Sequence, residues 1–176
     1  IVGFLIIIGA LSFPVIADIY RRKRLQRWSL DTRMVIIGTV SMWILAAMTI
    51  VTFEFTNDAT LGTMSWFDKM TNGTFQALTA RTAGFSTISF ADTRSGTDFI
   101  FTFLMFVGGA SGSAAGGIKV NTLMILVFAA LASVGGRQRT EVFRRELPAA
   151  QVARALAIVL LAATAVMLIV TTLAFT

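Results

Sequence analysis

The strongest chemical signal in this chain comes from backbone carbonyls rather than side chains. Histidine and cysteine are both absent, which removes the usual zinc sets, Cys and His nucleophile arrangements, disulfides and the commonest general base. Residues 82–85 read Thr-Ala-Gly-Phe and follow a short helical stretch. A short helix ending inside a membrane and continuing as an extended strand has the form that cation coordination requires. Its C-terminal end is partially negative, and successive carbonyls can replace an ion's water shell. Gly84 is the informative residue, because glycine tolerates a left-handed backbone that turns a carbonyl toward an axis and lets neighbouring strands approach.

A second irregular stretch, "GGASGSAAGGIK" at 108–119, replaces bulky apolar residues with glycines and small polar ones. It interrupts an apolar run over 99–134 whose roughly 36 residues would otherwise form a helix of about 54 Å against a hydrocarbon core of about 30 Å. The run must break. Irregular backbone at membrane depth leaves polar groups without partners, so it must be buried in protein or line a watery path.

The elements that position these stretches follow from composition and charge. With 56% hydrophobic residues, 14% charged and a mean hydropathy of +0.79, the chain belongs in a bilayer. Its net charge of +6 is concentrated beside apolar spans, where the positive-inside rule accounts for it without nucleic acid. Residues 1–20 read as the cytoplasmic end of a transmembrane helix. The loop at 21–33 carries Arg21, Arg22, Lys23, Arg24, Arg27 and Arg33 and is placed in the cytoplasm. Residues 34–53 form an outward span and 54–68 an outer loop.

Residues 65–81 read as a helix capped by Ser65 and Asp68, with Trp66 at the interface; it is too short and polar to cross. The chain then returns to the outer side at Asp92 and Asp98. A broken inner helix covers 99–134, a second cytoplasmic loop covers 135–150 with Arg137, Arg139, Arg144 and Arg145, and 151–176 begins another outward helix. The expected fold is an all-α, multi-pass integral membrane protein with a re-entrant pore helix. Because the chain starts with Ile1 inside an apolar segment, it reads as a piece of something longer.

"RTAGFSTI" and "GGASGSAAGGIKVNT", in this order and between these spans, resemble the Trk/Ktr/HKT superfamily of potassium transporters. The resemblance covers essentially the whole chain and implies a potassium-channel-like repeat. Carried over residue by residue, it implies that Thr82, Ala83, Gly84 and Phe85 offer carbonyls to potassium, with Gly84 favouring potassium over sodium. It implies that Gly108, Gly109, Ala110, Ser111, Gly112, Ser113, Ala114, Ala115, Gly116 and Gly117 form a gate loop below the filter, with Lys119 just after it.

The same resemblance places 34–134 as the third of four repeats around one pore, flanked by the end of the second and the start of the fourth. Geometry agrees that one strand cannot ring an ion. The partners implied are lipids, the remaining repeats, a second copy in a homodimer and a cytoplasmic nucleotide-binding regulatory subunit. The last would contact "RQRTEVFRREL". No cofactor is implied beyond the transported potassium, no catalysis is expected, and the setting is a bacterial inner membrane.

Blander readings stand beside these. The glycines of 108–117 also suit a helix-packing face in a non-conducting scaffold subunit, but they exceed what such a face needs. A phosphate loop is disfavoured because no strand precedes it and no GK[ST] follows. Lys119 either holds the loop closed or pairs with a carboxylate from a missing repeat, or else it snorkels to the cytoplasm. Arg81 is expected to point away from the axis, into a carboxylate or carbonyl behind the filter. Asn72-Gly73-Thr74 is a chance match to a glycosylation acceptor. A sodium-permeable pore of the same fold stays open, since one strand alone does not define selectivity.

Overall fold

The computed structural model describes residues 1–22, 24–136, 139–143 and 145–175; Lys23, Arg137 and Arg144, assigned above to the basic loops, lie outside them. The chain forms two compact units, 1–120 and 121–176.

The first unit opens with α1 (Val2–Ala10) and α2 (Phe13–Arg21), bent 96° from one another. This corrects the expectation of one helical end over 1–20. The cause is Pro14, which has no N–H for the carbonyl four residues earlier, that of Ala10, and whose ring crowds it. Pro14 instead sits in the first turn of α2, where a missing N–H costs nothing.

At the other end of α2, the Asp18 carboxylate accepts hydrogen bonds from the Ser29 N–H (2.8 Å) and the Thr32 hydroxyl (2.7 Å), and pairs with Arg22 at 3.0 Å. The basic connection is therefore folded back onto the start of α3 (Leu30–Glu54). Ser29 caps that helix by accepting the Thr32 N–H at 3.1 Å. Its 25 residues extend about 37 Å, enough to cross a membrane. The helix starts before residue 34 because its cap and Asp31 precede the apolar run.

Next comes α4 (Trp66–Thr79), capped as expected: the Ser65 oxygen accepts the Asp68 N–H at 3.3 Å, and its hydroxyl donates to the Asp68 carboxylate at 2.7 Å. Fourteen residues reach about 21 Å, too short to span. It ends at Thr79 rather than Arg81. The expected interruption of the last long apolar run is present: α5 is Ser95–Phe106, α6 is Val120–Val134, and no helix covers 107–119.

Packing in the first unit centres on Ala46 and Ile50 of α3, Ala77 and Ala80 at the end of α4, and Phe101 and Leu104 of α5. Lipid is as apolar as these side chains, so close fit holds the helices together more than removal from water does. Gly73 shows how close the fit is, since a Cβ there would run into the Val51 side chain. The Trp43 indole N–H adds a hydrogen bond to the Thr74 carbonyl at 3.3 Å. Exposed apolar residues such as Leu45 and Met48 lie on α3 where lipid would meet them.

Glu54, the last residue of α3, is fully buried and accepts four hydrogen bonds. Asn57 and Thr60 donate to one oxygen, both at 2.6 Å; the Arg94 N–H (3.0 Å) and the Thr97 hydroxyl donate to the other. A carboxylate from one helix thus caps the start of α5.

The second unit contains the rest of α6, a small antiparallel hairpin and α7 (Ala149–Ala174). The hairpin strands are β1 (Glu141–Val142) and β2 (Arg145–Glu146), with Glu141 opposite Glu146 and Val142 opposite Arg145. This hairpin is a local exception to the all-α expectation, reinforced by an Arg139–Glu146 ion pair at 3.2 Å. Like α3, α7 is long and apolar enough to cross a membrane.

Candidate ion-coordination site

Downstream of α4 the chain turns sharply and extends, and the turn is built from two left-handed residues, Thr82 (φ +62°) and Gly84 (φ +77°). The sequence marked the glycine. It did not mark Thr82, a β-branched residue for which positive φ is a genuine outlier and which needs its surroundings to hold it there.

Two side chains of α4, one turn apart, supply much of that support. Thr79 accepts the Phe85 N–H at 3.0 Å and donates its hydroxyl to the Phe85 carbonyl at 2.6 Å. Gln76, with no exposed surface, accepts from the Thr87 N–H (3.1 Å) and hydroxyl (3.3 Å) and donates to the Ser86 hydroxyl at 3.1 Å. The strand is clamped to the helix from behind by both ends of one amide and by one hydroxyl. A pair of polar residues on the otherwise small-residue face of a short helix was the available signal, and sequence reasoning passed over it.

The clamp sorts the four expected carbonyls. Among the described residues, no hydrogen bond is donated to the carbonyls of Thr82, Ala83 or Gly84, whereas that of Phe85 is taken by Thr79. Phe85, expected to offer its carbonyl with the other three, is thus the one of the four whose oxygen already accepts a short hydrogen bond. Thr82 and Gly84 are exposed and Ala83 half-buried.

Arg81 is 4% exposed and donates to the Gly108 carbonyl at 3.3 Å, a carbonyl being one of the two partners expected for it. That carbonyl belongs to the glycine-rich loop. The loop leaves α5 at Val107, which pairs in parallel with Ile118 on the returning limb. The Gly108 N–H donates to the Ile118 carbonyl and the Ile118 N–H to the Phe106 carbonyl, each at 2.8 Å, while the Val120 N–H reaches Gly109 at 3.0 Å. Gly108 and Gly116 are pressed together so closely that a Cβ on Gly108 would overlap the Gly116 carbonyl.

The far part of the loop reaches the broken helix. The Ala110 N–H donates to the Ala10 carbonyl at 2.9 Å and the Ala114 N–H to the Gly9 carbonyl at 3.2 Å. Pro14 left the Ala10 carbonyl without its helical partner, and the loop supplies one. Ala110 is buried with Val15 of α2 and Val35 of α3. The Lys119 ammonium donates to the Ala115 carbonyl at 2.7 Å, so this residue binds the loop rather than reaching away from it.

A cavity of about 300 Å³ lies among Gly9 and Ala10, Thr82 and Ala83, and Ala114 and Ala115. It places α1, the extended strand and the loop around one space. A larger apolar groove of about 700 Å³ between α3 and α4, lined by Trp43, Phe55 and Trp66 among others, has no coordinating chemistry. The smaller cavity is also bordered by Val2, Leu5, Ile6 and Phe85 and by Arg81, while Gly84 is not part of its lining.

Comparison with known proteins gives a consistent result. The family model described as the cation transport protein TrkH matches residues 1–176. The chain is 35% identical over 158 residues to the Ktr system potassium uptake protein B of Bacillus subtilis, covering 90% of this chain and 36% of that protein. It is 33% identical over 156 residues to the potassium/sodium uptake protein NtpJ of Enterococcus hirae, covering 89% and 34%. Among solved structures, the potassium transporter TrkH from Vibrio parahaemolyticus matches with a TM-score of 0.65 at 22% identity, covering 88% of this chain and 34% of that one; this likeness concerns the fold. The chain spans about a third of the length of these relatives.

Proposed function

Since this chain belongs to the TrkH family of membrane-embedded cation transport proteins, we propose that residues 82–84 form one wall of a potassium-selective filter and 108–117 the gate beneath it. The observation that carries this reading is the contrast along one strand: among the described residues nothing donates to the carbonyls of Thr82, Ala83 and Gly84, while the backbone beyond them is pinned to α4 by Thr79 and Gln76. Carbonyls held rigid without hydrogen bonds of their own can take over an ion's hydration shell at little reorganisation cost. α4 ends at this strand, so its partially negative terminus favours a cation there.

In this reading, ions shed water at the filter and pass inward when the loop leaves the space between Thr82 and α1. The protein moves cations and catalyses no covalent chemistry. Three further repeats of the full-length protein would complete the ring. Its arginine-rich cytoplasmic segments would meet a regulatory subunit, and a homodimer is the expected assembly.

Potassium and sodium fluxes of the full-length protein in liposomes, with Gly84→Ser beside the unchanged protein, test the proposal. Potassium flux that loses its preference over sodium in the variant supports it. Unchanged selectivity in a folded variant overturns it, and absence of flux for either ion would move the scaffold reading ahead. A sodium-permeable pore is the second reading, favoured by the likeness to NtpJ, named as a potassium/sodium uptake protein; it predicts comparable fluxes of both ions before any substitution.

A further inference from the structure

We infer that the Thr82 hydroxyl and the Arg81 guanidinium form a latch through which the neck of the glycine-rich loop controls the shape of the ion-coordinating strand. The inference rests on the filter reading above and adds positioning residues to it. The loop is closed at its neck by the Gly108–Ile118 and Ile118–Phe106 hydrogen bonds, with Gly108 against Gly116. Consecutive residues at the start of the strand grip both limbs of that neck: Arg81 donates to the Gly108 carbonyl at 3.3 Å, and Thr82 accepts the Gly116 N–H at 3.2 Å.

Thr82 is also where the strand is most strained. A β-branched residue at φ +62° persists only while its surroundings over-determine it. The Gly116 N–H is one such restraint, so movement of the neck away from Thr82 lets that residue relax and carries its carbonyl with it. Coupling of this kind is reciprocal: an ion held by the Thr82 carbonyl would favour the loop position that keeps Thr82 left-handed. The loop tip is held separately, by α1 through Ala10 and Gly9. If only the tip moved, the strand would not sense it.

The test uses the full-length protein in proteoliposomes and reads two quantities, closed-state leak and potassium-over-sodium permeability. Thr82→Val removes the acceptor and keeps the shape; both quantities should worsen together by about three- to tenfold, the range expected for losing one hydrogen bond. Thr82→Ser should restore both. Gly116→Pro, which removes the donor, should reproduce the effect, whereas Gly116→Ala should not, since a Cβ there meets only the Thr82 methyl at 3.9 Å. The double variant Thr82→Val with Gly116→Pro should be no worse than either alone.

Additive effects, or permeability that changes without leak, would overturn the latch. If Thr82→Val and Gly116→Pro both failed to assemble while Thr82→Ser and Gly116→Ala assembled, the contact would be structural and the latch would also fall. Gly84→Ser separates the two levels: selectivity lost there but kept in Thr82→Val removes only the latch, and selectivity kept in Gly84→Ser removes the filter reading itself.

Discussion

The extended strand and the glycine-rich loop are both irregular backbone between apolar helices, yet they satisfy that backbone in opposite ways. The strand is held by side chains, Gln76 and Thr79, and leaves three carbonyls with no donor among the described residues. The loop is held largely by backbone, pairing with its own limbs and with the Gly9 and Ala10 carbonyls at the end of α1, the latter freed by Pro14. Side-chain clamps from a packed helix fix geometry, which suits coordination. Backbone pairing between small residues requires close approach and no interlocking side chains, which suits the proposed gate, a part that would detach and return.

The largest effect expected from breaking this contrast is at the loop neck. Gly108→Ala places a methyl group on the Gly116 carbonyl, and overpacking against backbone that cannot step aside should cost about 3 kcal/mol. Thermal unfolding in detergent should show it as a lowered midpoint, and surviving protein should leak cations in the closed state. A variant as stable and as tight as the unchanged protein would mean the neck is not closed as described.

Gln76→Leu comes next and sharpens the other half of the comparison. It leaves the Thr87 N–H without its acceptor, a loss of about 1–3 kcal/mol. Reversal potentials in mixed potassium and sodium should reveal weakened selectivity with closed-state leak little changed, the reverse of the pattern at Gly108. Glu54→Gln serves as the control away from both regions. An amide turned into a site with four donors cannot accept them all, so stability should fall by about 1–2 kcal/mol while selectivity holds. A selectivity change in this variant would show that the filter is not insulated from its scaffold.

The smallest effect is expected from Lys119→Gln, which loses a charge-assisted hydrogen bond to the Ala115 carbonyl. Leak should rise by about two- to fourfold, in line with a bond worth somewhat under 1 kcal/mol at a half-exposed site. Leak and flux that both stay unchanged would remove Lys119 from the closing of the loop.

What the sequence made legible was local. Ser65 with Asp68, the uncharged run within α3 and the glycine-rich interruption each carry their reason within a few residues, so the start of α4, the span and the break could be read directly. The bend between α1 and α2 was also local, signalled by Pro14, but the apolar composition around it masked the signal. The strand's long-range features were not legible. Nothing near Thr79 says that its hydroxyl meets Phe85 rather than its own helix, and nothing near Arg81 says that its carbonyl partner lies 27 residues onward in the loop. Glu54 read as the start of a polar outer loop, and became a buried cap only because that loop folds over the start of α5.

The central claim is that three carbonyls, and not the fourth, face the ion. Its most direct test is a structure of the full-length protein with rubidium or thallium replacing potassium, located by anomalous scattering. Peaks within coordination distance of the Thr82, Ala83 and Gly84 carbonyls, with the Phe85 carbonyl still bonded to Thr79, are the predicted result. Ions coordinated by Phe85 instead, or no ion along this strand under conducting conditions, would contradict it.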